Sequence, residues 1–84
     1  MASKQQTKLI KKWKDKGYTV VNLIRTNCNG ISDLIAFKDG HTVFIESKEK
    51  NDTLSTLQYF RLKSFVVNGF DVYVNETPFN EYVK

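Results

Sequence analysis

A single cysteine, Cys28, leaves this chain unable to form an internal disulfide, and a reducing compartment fits that composition. The one histidine, His41, falls at the tip of the hairpin described below, too far from Cys28 in the pattern to make a Cys/His nucleophile. No Cys/His set with zinc-ligand spacing exists. There is no signal-peptide pattern and no apolar run near the roughly 18 residues that a membrane helix needs. Internal repeats and low-complexity segments are also lacking. These absences predict a soluble, intracellular protein, cytoplasmic and without a membrane partner. The 84 residues predict one domain over 1–84. A domain of that size buries only about 60% of its unfolded surface and gains stability from a partner subunit.

What is present is 40% apolar residues, with aromatics making up 13% of the chain, which places it among globular rather than disordered sequences. The net charge is +4, and it is uneven: Lys4, Lys8, Lys11, Lys12, Lys14 and Lys16 crowd the first sixteen residues. That balance suits a polyanionic partner, although a helix with a solvated lysine face is the commoner use of such a run.

The pattern predicts helix, strand, strand, strand, helix, strand. The first helix runs from about Ser3 to Lys16, with Ser3 as N-cap, Gly17 as the stop and an apolar stripe of Leu9, Ile10 and Trp13. A strand follows from Tyr18 to about Arg25, then a turn-rich loop over 26–30. The runs Ser32–Phe37 and His41–Lys48 read as strands around Lys38-Asp39-Gly40, and Asp-Gly between β-prone runs is a strong signal for a tight hairpin. The second helix runs from about Thr56 to Asn68. Ser55 and Gln58 form a capping box, Gly69 terminates the helix, and Leu54, Leu62, Phe65 and Val66 make up the inward arc. Asp71–Val74 is a last strand, and Thr77–Lys84 carries no clear pattern. Both faces of the hairpin are apolar, which requires cover on both sides by helices or another subunit.

If Asp39-Gly40 is the two-residue loop, the register follows. Lys38 opposes His41, Phe37 opposes Thr42, Ile35 opposes Phe44, and Asp33 opposes Glu46. Opposed residues share a face with Cβ atoms about 4.5–5.5 Å apart, and Lys48, two residues beyond Glu46, shares it too. Two carboxylates at about 5 Å repel by roughly 3 kcal/mol at an effective dielectric near 20. A divalent cation removes that penalty, and hard oxygen donors suit Mg²⁺ or Mn²⁺. The plainer reading is a solvated pair that shares a proton or is neutralised by Lys48.

Two glutamines fall on inward arcs, Gln6 among Leu9, Ile10 and Trp13, and Gln58 between Leu62 and Phe65. A buried amide costs about 1–3 kcal/mol unless it is hydrogen-bonded. Gln58 has two readings, a capping partner of Ser55 or a group that reaches Asp33, Glu46 and Lys48. For Gln6, fraying at the helix start is the simpler account.

Taken together, Gly30-Ile31-Ser32-Asp33, Glu46-Ser47-Lys48 and Gln58, followed by Gly69 and a short strand, resemble the PD-(D/E)xK nuclease superfamily, and most of all its virus-type replication-repair nuclease branch, the VRR-NUC domain. The resemblance spans about residues 5–75. It implies an α/β fold with a restriction-endonuclease-like αβββαβ core, a mixed sheet flanked by helices. It also implies that Asp33 and Glu46 bind the metal, that Ser47 lends its backbone carbonyl, that Lys48 positions or activates the attacking water, and that Gln58 supports the site. Two departures stand out. Ser32 occupies the place of a common proline, and Gln6 that of a first-helix glutamate, offering an oxygen without a charge.

The chemistry expected of these residues is hydrolysis of phosphodiester bonds. A carboxylate-bound cation lowers the pKa of its water, and Lys48 stabilises developing negative charge. Arg25, Lys50 and Lys12 can grip phosphates without reading bases. No recognition helix or base-stacking platform is evident, which favours recognition of DNA shape. The expectation is therefore a structure-selective endodeoxyribonuclease using Mg²⁺ or Mn²⁺. By resemblance its substrate is branched DNA such as a four-way (Holliday) junction, and a homodimer would supply two sites. The rival is a catalytically idle nucleic-acid- or protein-binding module on the same scaffold.

Overall fold

The computed structural model describes residues 4–84. Its elements are α1 (Lys4–Asp15), β1 (Thr19–Asn22), β2 (Leu34–Lys38), β3 (His41–Glu46), α2 (Thr56–Val67), β4 (Asp71–Val74), β5 (Thr77–Pro78) and α3 (Phe79–Tyr82). The proposed Ser3 cap lies outside the described residues.

The five strands form one sheet in the order β1-β2-β3-β4-β5. β3 and β4 are parallel and every other pair is antiparallel. The sheet is thus mixed, with α2 as the crossover that parallel neighbours need. Lys38 faces His41, Phe37 faces Thr42 and Ile35 faces Phe44, the register set by the Asp39-Gly40 loop. Asp39 and Gly40 take φ values of 51° and 78°, the paired left-handed geometry that a twist-compatible hairpin turn requires.

Alternation along the strands divides the core in two. Leu34, Ala36, Val43 and Ile45 pack with Leu9 and Trp13 of α1. On the opposite face, Val72 and Val74 pack with Leu62 of α2 and Phe79 of α3, bordered by Phe44, Leu54, Phe65 and Val66. One face of the hairpin is therefore covered by α1, and the other is covered in part by α2, which packs on Phe44 while Phe37 stays 42% exposed.

Three boundaries differ from the sequence expectation. β1 ends at Asn22 rather than near Arg25, because its partner β2 starts only at Leu34. Asp33 lies just before β2, and Ser47 and Lys48 lie just beyond β3, so the site residues stand where the strands stop pairing. The segment after Val74, which carried no clear pattern, turns back at Asn75-Glu76 into β5 and α3. There Phe79 is 1% exposed and closes the second core cluster.

Candidate active site

Asp33 and Glu46 are brought together by the hairpin register carried one step past its last ladder pair, Leu34 with Ile45. The Asp33 carboxylate accepts a hydrogen bond from the Ser47 backbone N–H at 3.0 Å through Oδ2. Its own carbonyl accepts from the Leu23 N–H at 2.8 Å, which ties the residue to the end of β1. The loop leading to it is pressed onto α2. A Cβ at Gly30, whose φ is 79°, would sit 2.9 Å from Leu57 Cγ, so a side chain there would push the Asp33 loop off the helix.

Glu46 is 2% exposed although it is ionisable. Its Oε2 accepts from Gln58 Nε2 at 3.1 Å and lies 3.7 Å from Lys48 Nζ. Its Oε1 is buried and has no hydrogen-bond partner. Burial is the main cause, and the nearby Asp33 charge the second, of a carboxyl pKa pushed up from 4.5 to about 7, with Lys48 pulling the other way. A buried carboxylate with one unanswered oxygen, beside a second carboxylate, is an environment that a cation would complete.

Gln58 does both things that its sequence position allowed. Its backbone N–H donates to Ser55 Oγ at 3.1 Å, and its Oε1 accepts from the Ser55 N–H at 3.0 Å. The remaining amide group of the same side chain holds Glu46. The capping box therefore fixes the reach of Gln58 to the carboxylate.

Lys48 is held through its backbone. Its N–H donates to Asn75 Oδ1 and its carbonyl accepts from Asn75 Nδ2, each at 3.0 Å. Asn75 is a residue of the site that the sequence reading missed. The signal available was an asparagine in a two-residue gap between Val74 and Thr77, a position that favours left-handed backbone.

Gln6 donates from Nε2 to Asn22 Oδ1 at 3.2 Å, at the β1 edge, whereas Gln58 meets Glu46 from the α2 side. Ser47 sits between Glu46 and Lys48, and no hydrogen bond to its carbonyl is made among the described residues. Arg25 and Lys50 are exposed and make no ion pair among the described residues. Lys12 is engaged, at 2.8 Å from Glu76 Oε2, with Lys16 at 3.5 Å from the other oxygen of the same carboxylate.

The donor set fits a hard divalent cation: two carboxylates, one of them with an orphaned buried oxygen, and the neighbouring Ser47 carbonyl. Among the described residues no three His, Cys, Asp or Glu side chains converge, so carbonyl, amide or water oxygens must complete the shell.

No curated protein matches the chain. Among solved structures, one of a VRR-NUC domain superposes with a TM-score of 0.74, covering 87% of this chain and 84% of that one at 24% identity. That likeness speaks for the fold. The sequence model of the VRR-NUC domain matches residues 2–77, which include Asp33, Glu46, Lys48 and Gln58; with nearly the whole chain matched and the fold shared, the chain belongs to the VRR-NUC family of nuclease-type domains.

Proposed function

We propose that this domain is a divalent-metal-dependent, structure-selective DNA endonuclease that acts on branched DNA, including four-way (Holliday) junctions, as a homodimer. The observation that carries the reading is the convergence on Glu46 of Asp33, Lys48 and Gln58, with Oε1 left unanswered.

Asp33, Glu46 and the Ser47 carbonyl would hold Mg²⁺ or Mn²⁺, which polarises the phosphoryl group and makes water nucleophilic near neutral pH. Lys48 Nζ, beside Glu46 and only 15% exposed, orients the attacking water and stabilises the negative charge that builds on the phosphoryl oxygens. As the water oxygen bonds to phosphorus, the water gives a proton to solvent, the ester P–O bond breaks, and the leaving oxygen takes a proton from solvent. Gln58 keeps Glu46 aimed into the site. Arg25 and Lys50 supply phosphate contacts without base readout. Lys12 contributes less than its charge suggests, because it must first leave Glu76.

A two-fold assembly is supported by surface that the helices leave open. Phe60 is 62% and Val67 75% exposed on α2, Phe37 is 42% exposed on β2, and Phe70 is 43% exposed in the turn between α2 and β4. A second copy covering these apolar residues would bring two sites into one assembly.

The test is incubation of the purified protein with a labelled four-way junction, a flap and a linear duplex, each with Mg²⁺, Mn²⁺ or EDTA. The expected result is metal-dependent cutting with the junction cut fastest. Binding to DNA without cutting under any metal would identify an idle binding module instead.

A further inference from the structure

Asn75 occupies a left-handed backbone conformation, with φ of 58°, at the turn between β4 and β5. Asparagine enters that region more readily than most residues other than glycine. The position costs stability unless the surroundings use it, and here each polar group of Asn75 has a partner.

The parallel ladder explains the arrangement. Glu46 is in register with Val74, and the Asn75 N–H donates to the Glu46 carbonyl at 2.8 Å. In a continuing parallel ladder, the Asn75 carbonyl would next accept the Lys48 N–H. The left-handed turn sends that carbonyl away, to Trp13 Nε1 at 3.3 Å. The Asn75 side chain makes the missing rung instead, and adds a second bond to the Lys48 carbonyl. Gln5 Nε2 donates to the same Oδ1 at 3.4 Å from α1. Lys48 thus lies beyond the sheet yet has both backbone polar groups fixed, while the Ser47 N–H between Glu46 and Lys48 is fixed by Asp33.

We infer that Asn75 is a positioning residue for Lys48, its side-chain amide replacing a strand partner so that the lysine amine is launched from a rigid backbone toward Glu46. The inference rests on the nuclease reading above. Asn75 touches neither metal nor DNA in this role. A misplacement of about 1 Å in a reacting group costs on the order of 100-fold in rate.

The informative variant is Asn75→Gly. Glycine keeps the left-handed turn and the backbone bonds to Glu46 and Trp13, and removes the two-bond clamp on Lys48 together with the long 3.4 Å contact from Gln5. Single-turnover cleavage, steady-state kinetics, Mn²⁺ titration and amide hydrogen exchange at Lys48 are measured on wild type and variant. The expected result is a fall in kcat of at least about tenfold, with KM for DNA and Mn²⁺ affinity within about twofold of wild type, and faster exchange of the Lys48 amide. A role only in folding would lower Tm and metal affinity together without this split. Wild-type kcat in the variant, or unchanged Lys48 exchange, overturns the positioning role while leaving the nuclease reading intact. A wild-type protein that cuts no DNA overturns the nuclease reading, and the positioning role falls with it.

Discussion

Glu46→Gln removes the Glu46 charge from the site while keeping its shape, and it makes the electrostatics measurable without any substrate. In the metal-free fold the Glu46 pKa is raised from 4.5 to about 7. A carboxyl with a raised folded-state pKa binds more protons folded than unfolded. Its contribution is therefore fully present below about pH 4.5 and is lost as pH climbs through about 7. The size of the shift corresponds to about 3 kcal/mol of stability lost by pH 8. In a domain this small each 1 kcal/mol moves Tm by roughly 4–8 °C. Wild type in EDTA should therefore melt at least about 10 °C lower at pH 8 than at pH 5 through this residue alone. In Glu46→Gln the amide carries no titratable charge, and its oxygen can still accept from Gln58. The variant should lose this pH dependence and melt above wild type at pH 8. Differential scanning calorimetry of the two proteins across about pH 5 to 8 reads the difference directly, with every other titrating group common to both. Parallel pH profiles would refute the claim that Glu46 is buried and strained by Asp33.

Lys48→Ala should lose at least about 100-fold in turnover, through transition-state stabilisation, while junction binding and Mn²⁺ affinity stay near wild type; retained turnover excludes the role given to Lys48. Gln58→Ala should do two things at once, lowering stability by about 0.5–2 kcal/mol through the lost capping partner and reducing turnover through a loosened Glu46; a variant with lower Tm and wild-type rate would show that the Glu46 bond is idle. Phe60→Asp, at a 62% exposed position, should leave folding intact and convert a dimer to a monomer by light scattering; a dimer that persists would move the contact surface elsewhere.

Much of the site was legible because it depends on local rules. The Asp39-Gly40 turn dictates the β2–β3 register, and the register alone carries Asp33 to Glu46. Ser55 and Gln58 announce a capping box, and the box delivers Gln58 to Glu46; the sequence posed capping and site support as alternatives because periodicity does not show that one side chain serves both through separate atoms. The strand ends were less legible. Whether Ser47 and Lys48 continue β3 depends on where β4 turns away, at Asn75, a contact separated by 27 residues from Lys48. The β5–α3 segment was missed for a related reason. Phe79 and Tyr82 sit three apart after Pro78, a spacing that reads as a short helix only once the second core cluster supplies something for Phe79 to fill. The pairing of Lys12 with Glu76 was equally out of reach, since the two are 64 residues apart.

On the proposed nuclease reading, the choice of DNA depends on surfaces outside the candidate site, whereas cation binding would rest on Asp33 and Glu46. Isothermal titration of Mn²⁺ into wild type and into Glu46→Gln near neutral pH therefore tests the central claim most directly. The account predicts saturable binding to wild type that is lost, or weakened at least about tenfold, in the variant. Absence of binding to wild type, or equal binding to both, would contradict a metal site built on Asp33 and Glu46.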